Sequence, residues 1–220
     1  MSDKHPSRVV VLGLGRFGRS VALELVALGT EVMAIDSDPK LVQRYADDVT
    51  HAVVADTTDA EVMRQLGVDE FQRAVVGIGN NLEASILTTA VLVDFGIPDI
   101  FAKAISREHG RILERIGAHH VVLPEHEMGE RVAHVAAGRV LDYIEIEDDY
   151  AMIKARPPEE AIGKPLGTSK LRAKYGVTVV GVKRPGQGFT YATAETVIES
   201  GDVLILAGKV SDVGRLADRT

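Results

Sequence analysis

Residues 9 to 20 read VVVLGLGRFGRS, and Gly13, Gly15 and Gly18 stand in them at G-x-G-x-x-G spacing behind an apolar run. Each glycine answers a separate need. Gly13 suits a tight turn out of a strand, Gly15 lets backbone N–H groups reach a phosphate, and Gly18 lets the following helix pack close to that strand. The helix brings its N-terminal partial positive charge to the same place. Asp36 ends the next apolar run, 18 residues beyond Gly18. Its carboxylate can accept from two ribose hydroxyls and would repel a 2′-phosphate. Arg16 stands on the phosphate side of the loop, where a guanidinium suits the terminal phosphates of a mononucleotide. A solvated surface arginine is the alternative. Such a site takes a nucleotide either as a reagent to be consumed or as a signal to be read.

The elements that must hold these residues are visible as a repeating pattern. Nearly continuous β-branched runs occur at RVVVLG (8–13), EVMAID (31–36), HAVVAD (51–56), RAVVGI (73–78), IFAKAI (100–105) and HVVLP (120–124). Continuous apolar character marks strands buried on both faces. Segments of helical spacing lie between them, with Val21, Leu25 and Leu28 on one face of the first, then 81–96 and 107–117. The arrangement predicts an α/β fold, a Rossmann-like doubly wound parallel sheet. EMGERVAHVAAGRV (127–140) reads as one more helix, with Val132, Val135 and Ala136 on one side. From residue 141 the apolar residues mostly alternate, as in half-exposed strands, which predicts a small α+β C-terminal domain. The expected organisation is 1–126, a joining helix over 127–140, and 141–220.

In such a sheet, ligands sit beyond the carboxyl ends of the strands. Those ends carry Asp56 and Thr57, then Gly79, Asn80 and Asn81, then Lys103, and last Glu125. Phe17, Ser37, Asp38, Ala55 and Ile78 adjoin these positions and complete the candidate nucleotide-binding set. Asn80 and Asn81 read equally well as a helix cap. Lys103 interrupts an apolar run, so it needs an anionic partner, ligand or carboxylate, unless it snorkels at a sheet edge.

Composition narrows the function classes. Net charge is −7, and residues 1–139 hold 14 Lys/Arg against 20 Asp/Glu, leaving 11 against 12 for 140–220. Neither part is basic, which argues against nucleic acid as a partner. The absence of cysteine removes disulfides and thiolate chemistry and fits a reducing cytoplasm. The longest apolar stretch, ASILTTAVLV (84–93), is far short of a membrane span. Tyr150 and Lys154 stand at Y-x-x-x-K spacing but in an alternating strand pattern, away from the nucleotide motif. His119 and His120 lack metal-ligand spacing, Ser20, Ser85 and Ser169 lack a nucleophile setting, and no G-K-[ST] follows the glycines. Catalysis is therefore not expected.

Taken together, VVVLGLGRFGRSVALEL, MAIDSD, HAVVADTTD, VVGIGNNLEASILTT, IFAKA, ERIGAHHVVLPEHEMGERVA and LRAKYGVTVVGVKR resemble the regulator-of-potassium-conductance family, in particular the cytosolic gating subunits of Ktr and Trk potassium uptake systems. That resemblance implies a non-enzymatic subunit whose protomers pair through the crossover helix and form an octameric ring beneath a membrane-embedded potassium channel or transporter. It implies ATP or ADP as ligand, with Arg16 at the terminal phosphate, Asp36 on the ribose, Asp38 and Asp56 along the nucleoside, and Lys103 neutralising charge. Glu125 resembles the family glutamate that places a cation, divalent or monovalent, beside the phosphates. Some relatives bind cyclic di-AMP in the C-terminal domain, and Arg172 is the residue that matches; the neighbouring TSK departs from that pattern. The competing readings are an NAD-dependent oxidoreductase and an NADH-sensing regulator, both of which would take NAD(H) at the glycine motif.

Overall fold

A computed structural model describes residues 8–138, 140–147 and 149–218. The chain divides into two compact units, Met1–Glu125 and His126–Thr220. In the first, β1 (Arg8–Leu12), β2 (Glu31–Asp36), β3 (His51–Val54), β4 (Arg73–Val76), β5 (Asp99–Lys103) and β6 (His120–Val122) pair in parallel. Their order is β3-β2-β1-β4-β5-β6. The intervening helices are α1 (Arg16–Ala27), α2 (Pro39–Tyr45), α3 (Ala60–Gln65), α4 (Leu82–Asp94) and α5 (Arg107–Ile116). Val10 and Leu12 enter one apolar cluster with Ile35, Val76, Ile100 and Leu113, while Val9 and Val11 enter another with Ala22, Val32 and Val75. Both faces of β1 are therefore covered, which is why its sequence is continuously apolar instead of alternating. Leu28 departs from expectation: α1 ends at Ala27, so Leu28 is a cap residue and 72% exposed.

The strand order reverses between β1 and β4, and the chain there is held by backbone contact. The Gly13 N–H donates to the Ile35 carbonyl and the Gly77 N–H to the Leu12 carbonyl, each at 2.7 Å. Gly13 has φ +96°, a conformation that favours glycine. Helix α1 packs so closely that a Cβ on Gly18 would lie 1.8 Å from the Gly13 carbonyl oxygen.

Helix α6 (Pro124–Ala136) starts with two residues of the first unit and continues in the second. It begins three residues ahead of the expected 127, because a proline serves well as a first helical residue. It stops at Ala136, before Gly138 with φ +75°; residue 139 lies outside the described residues. The second unit carries β7 (Asp142–Glu147), β8 (Tyr150–Ala155), α7 (Leu166–Ser169), α8 (Leu171–Tyr175), β9 (Thr178–Lys183), β10 (Phe189–Tyr191), β11 (Val203–Lys209) and α9 (Val210–Ala217). Its sheet is antiparallel in the order β10-β9-β11-β8-β7. Ala151, Ile153, Leu204 and Leu206 point from one face into a core shared with Val213 and Leu216. Among the described residues, no helix is long and apolar enough to cross a membrane.

The glycine geometry predicts opposite fates for two substitutions. Gly18→Ala must displace backbone, and it should destabilise the first unit by about 2 kcal/mol or more. Gly15→Ala meets nothing within 4 Å and should stay within about 1 kcal/mol. Urea unfolding followed by amide exchange in β1 and β4 ranks the two; equal costs would refute the close-packing assignment.

Candidate functional site

A cavity of about 690 Å³ opens at the carboxyl ends of the parallel strands. Gly13, Gly15, Arg16 and Phe17 line it from the turn and first residues of α1, and Asp36, Ser37 and Asp38 from the end of β2. Asp56 and Thr57 follow β3; Ile78, Gly79 and Asn80 follow β4; Lys103 ends β5, and Glu125 stands in the first turn of α6. Two residues of the expected set do not line it. Gly18 packs beneath the turn, and the Ala55 side chain packs against the apolar core. Leu41, Gly77, Ala84 and Ile105 line it without having been singled out in the sequence. Gly77 was findable, standing two residues before Gly79 in VVGIG. Arg172 lies in the second unit, where its Nε and Nη2 donate to Thr178 Oγ1 at 3.2 and 2.8 Å.

The acidic residues are already anchored. Asp36 accepts the Leu14 N–H on Oδ2 at 2.6 Å and the Asp38 N–H on Oδ1 at 2.8 Å. Each carboxylate oxygen keeps a further lone pair for a hydroxyl donor. Asp38 Oδ1 takes the Lys40 N–H at 2.8 Å and caps α2. Asp56 Oδ1 takes the Thr58 N–H and hydroxyl at 2.9 and 2.7 Å, and these bonds hold its carboxyl below the usual carboxylate range. Asn81 caps α4 by accepting the Ala84 N–H, so the pair of asparagines divides: Asn81 caps, and Asn80 faces the cavity without that task. Below them, the buried hydroxyls of Thr57 and Thr88 share a hydrogen bond of 2.7 Å.

Basic groups face this acidic side. Lys103 Nζ donates to Glu125 Oε1 at 2.7 Å, with the lysine side chain 11% exposed and the glutamate 65%. The lysine therefore has a carboxylate partner, as its place in an apolar run requires. The Lys103 bond is the main cause that holds the Glu125 carboxyl below its ordinary range, and the charge of Arg16 acts in the same direction. Arg16 opens α1, so its guanidinium, the Lys103 ammonium and the helix N-terminus converge on one end of the cavity. An anion of several charges fits that end, and a polyhydroxyl group fits the Asp36 end.

Other chemistry-bearing residues have structural tasks. Lys154 of β8 donates to Asp142 Oδ2 at 2.9 Å, and Arg131 to Oδ1 of the same carboxylate. The Y-x-x-x-K pair thus belongs to the antiparallel sheet of the second unit. His119 Nδ1 accepts the Ile100 N–H at 3.0 Å, and His120 pairs with Asp99 while stacking on Phe101.

Two family models match the chain: the TrkA-N domain over residues 9–124 and the TrkA-C domain over 151–220. The Ktr system potassium uptake protein C of Bacillus subtilis is 40% identical over 210 residues, 95% of each chain. The Ktr system potassium uptake protein A of the same organism is 36% identical over 206 residues, 93% of each. Among solved structures, the GsuK RCK domain superposes at a TM-score of 0.67 with 20% identity, over all of this chain and 48% of that one. A GsuK channel bound to NAD gives 0.67 and 19%, over all of this chain and 40% of that one. At such identity the two structures attest the fold.

The turn after β5 that presents Lys103 is fastened by the buried His109, whose Nδ1 accepts the Ile105 N–H at 3.3 Å. Burial lowers the His109 pKa, so the fold favours the neutral ring. Its contribution is fully present above about pH 6.5, the ordinary histidine value, and is lost as pH falls through the lowered folded value. The first unit should therefore lose stability between pH 7 and 5. His109→Asn, whose Oδ1 can take the Ile105 N–H, should flatten that slope. Urea midpoints across this range measure it, and an unchanged slope in the variant would place the titration elsewhere.

Proposed function

The chain belongs to the family of Ktr- and Trk-type potassium uptake proteins built from TrkA-N and TrkA-C domains, and from that premise we propose that it is a nucleotide-gated regulatory subunit of a potassium uptake system. One observation carries the proposal. Arg16, Asp36, Lys103 and Glu125, drawn from four separate elements, meet around a single cavity at the switch point of the sheet. The anchored carboxylate of Asp36 is placed for a ribose, and the basic end is placed for the phosphates of ATP or ADP. Glu125 would hold a cation against those phosphates. The nucleotide is a signal in this scheme: it is bound and released unchanged, and ATP and ADP act by differing in affinity for two shapes of the assembly.

The membrane subunit is the partner, and this chain acts at the cytoplasmic face through it. Residues 1–126 would sense the nucleotide, 127–140 would join protomers, and 141–220 would complete a ring. Support for pairing through α6 comes from Met128, Val132 and Val135, which are 53%, 56% and 38% exposed and line a shallow hollow of about 220 Å³ with Arg131 and Ala136. An uncovered apolar helix face of this kind suits a second copy.

The NADH-sensing reading also has an observation in its favour, a related channel fold solved with NAD. Calorimetry of the full chain with ATP, ADP, NAD and NADH, with solution mass followed alongside, separates the two. Tight ATP and ADP binding by a ring-sized assembly supports the gating subunit; selective NADH binding by a dimer supports the sensor. Arg16→Ala should weaken ATP roughly ten- to a hundredfold, the worth of one hydrogen bond to a charged group, and ADP and AMP by less. Asp36→Ala should weaken all three by similar factors, because the ribose is common to them. Equal losses for all three in Arg16→Ala would remove its terminal-phosphate role.

A further inference from the structure

Helix α6 is 13 residues long, and none of them is buried. A helix of that length is marginal on its own in water and needs tertiary contacts to hold it. Two such contacts join it to β7, one helical turn apart. Arg131 Nε donates to Asp142 Oδ1 at 2.8 Å, and Arg131 Nη2 stands 2.8 Å from the same oxygen. The His134 ring stacks on that of Tyr143, with centroids 3.9 Å apart and an interplanar angle of 17°. Asp142 is itself fixed by the sheet. Its Oδ1 also accepts the Tyr143 N–H at 3.0 Å, and its Oδ2 accepts Lys154 Nζ at 2.9 Å, from the residue opposite in β8. The bonds from Lys154, Arg131 and the Tyr143 N–H hold its carboxyl below the ordinary range, against the cost of burial.

We propose that Asp142 is a positioning residue for pairing: by gripping Arg131 it sets the roll of α6 and turns the stripe of Met128, Val132 and Val135 toward the same stripe of a second copy. This rests on the reading of α6 as the helix that joins protomers. At 3.6 residues per turn the stripe lies about a quarter turn round the helix from Arg131 and His134, so the residues that grip and those that dock do not compete. Two grips at successive turns fix the roll, where one would leave the helix to swivel. A helix free to roll must give up that freedom on pairing, and one already oriented does not. The occupant is a second copy because α6 complements itself when reversed. Its carboxylates, Glu125, Glu127 and Glu130, stand in its first half, and Arg131 and His134 stand in its second. Antiparallel pairing about Val132 brings unlike charges together, and such an isologous contact closes on itself.

The sequence holds no cysteine, so one introduced thiol is a unique probe of the roll. Val132→Cys in the full chain, oxidised with copper phenanthroline, should link into disulfide-bonded pairs, and Ala133→Cys, turned away from the stripe, should not. Adding Asp142→Ala to Val132→Cys should lower the yield of linked pairs. In sedimentation, Asp142→Ala alone should raise the dissociation constant of the pair roughly tenfold, the worth of one hydrogen bond to a charged group. Asp142→Asn keeps an acceptor for Arg131 and should raise it by less. Lys154→Met removes a bond to the same carboxylate without touching α6, so it should lower the melting temperature and leave pairing unchanged. A merely structural role would instead weaken pairing in Asp142→Ala and Lys154→Met in step with their melting temperatures. That parallel loss, undiminished linking in both Asp142 variants, or linking through Ala133→Cys as ready as through Val132→Cys would overturn the positioning role while leaving pairing in place. A single-copy mass for the unaltered chain, with no linking through Val132→Cys, would overturn pairing through α6 and the positioning role with it.

Discussion

The cleft depends on a contact with no side chains in it, the mutual approach of Gly13, Gly18 and Gly77. A Cβ on Gly77 would lie 2.9 Å from the Gly13 carbonyl oxygen and 2.9 Å from the Gly18 Cα, and one on Gly18 would overlap that same oxygen. Only three residues without Cβ atoms let α1 descend onto the ends of β1 and β4. That descent puts the first turn of α1, with its unpaired N–H groups and Arg16, at the mouth of the cleft. Were α1 held a methyl group further out, the positive end of the helix and the carboxylate of Asp36 would no longer line one cavity as they do. The Leu14 N–H to Asp36 bond records the same constraint from the other side, tying the glycine turn to the end of β2.

From that anchor the cleft divides into a side that is set in advance and a side that must respond. Asp36, Asp38 and Asp56 each already accept backbone N–H groups, so their orientations are fixed before any ligand arrives. Little rotamer freedom remains to be lost there on binding. Asn81 and Thr57 are committed in the same way. The basic end is built from long side chains whose partners can change. Lys103 has Glu125 as its partner, and the glutamate stands largely in solvent.

Much of this could be read in the sequence, and what escaped did so for identifiable reasons. The inner parallel strands stand out because burial on both faces leaves unbroken apolar runs, as at Val9 to Leu12, whereas the edge strands β3 and β6 are only partly covered. The same reasoning misses β10, whose three residues Phe189–Tyr191 are all exposed at the edge of the second sheet and carry no burial pattern. Helix α9 went unnoticed because Val213, Leu216 and Ala217 form a short stripe at the end of the chain. The sequence offers Gly77 beside Gly79, but the reason it must be glycine is a tertiary contact with Gly13 and Gly18. The Lys103–Glu125 bond spans 22 positions. It depends on the parallel register that sets Lys103 beside Val122 and on α6 beginning at Pro124 rather than later. A lone lysine in an apolar run announces that a partner exists, but only the register says which carboxylate it is.

The division of the cleft bears on how a bound nucleotide can do work. A ligand shifts an equilibrium between two shapes only by the difference in its affinity for them, however tightly it binds either. On the proposed reading, contacts to ribose on the acidic rim would be the same for every adenosine nucleotide and the same whenever the rim is unchanged, so they would supply affinity without direction. Direction has to come from groups that exchange partners, and in this cleft those lie at the basic end. One hydrogen bond to a charged group is worth about 1.5–3 kcal/mol, less where solvent screens it. Allosteric coupling free energies fall in the range of about 1–3 kcal/mol. A single exchanged partner at Lys103 or Arg16 therefore suffices in magnitude to tell one phosphate count from another. On that reading the rest of the nucleotide would serve to deliver the phosphate to a place that β5, α6 and the first turn of α1 all line.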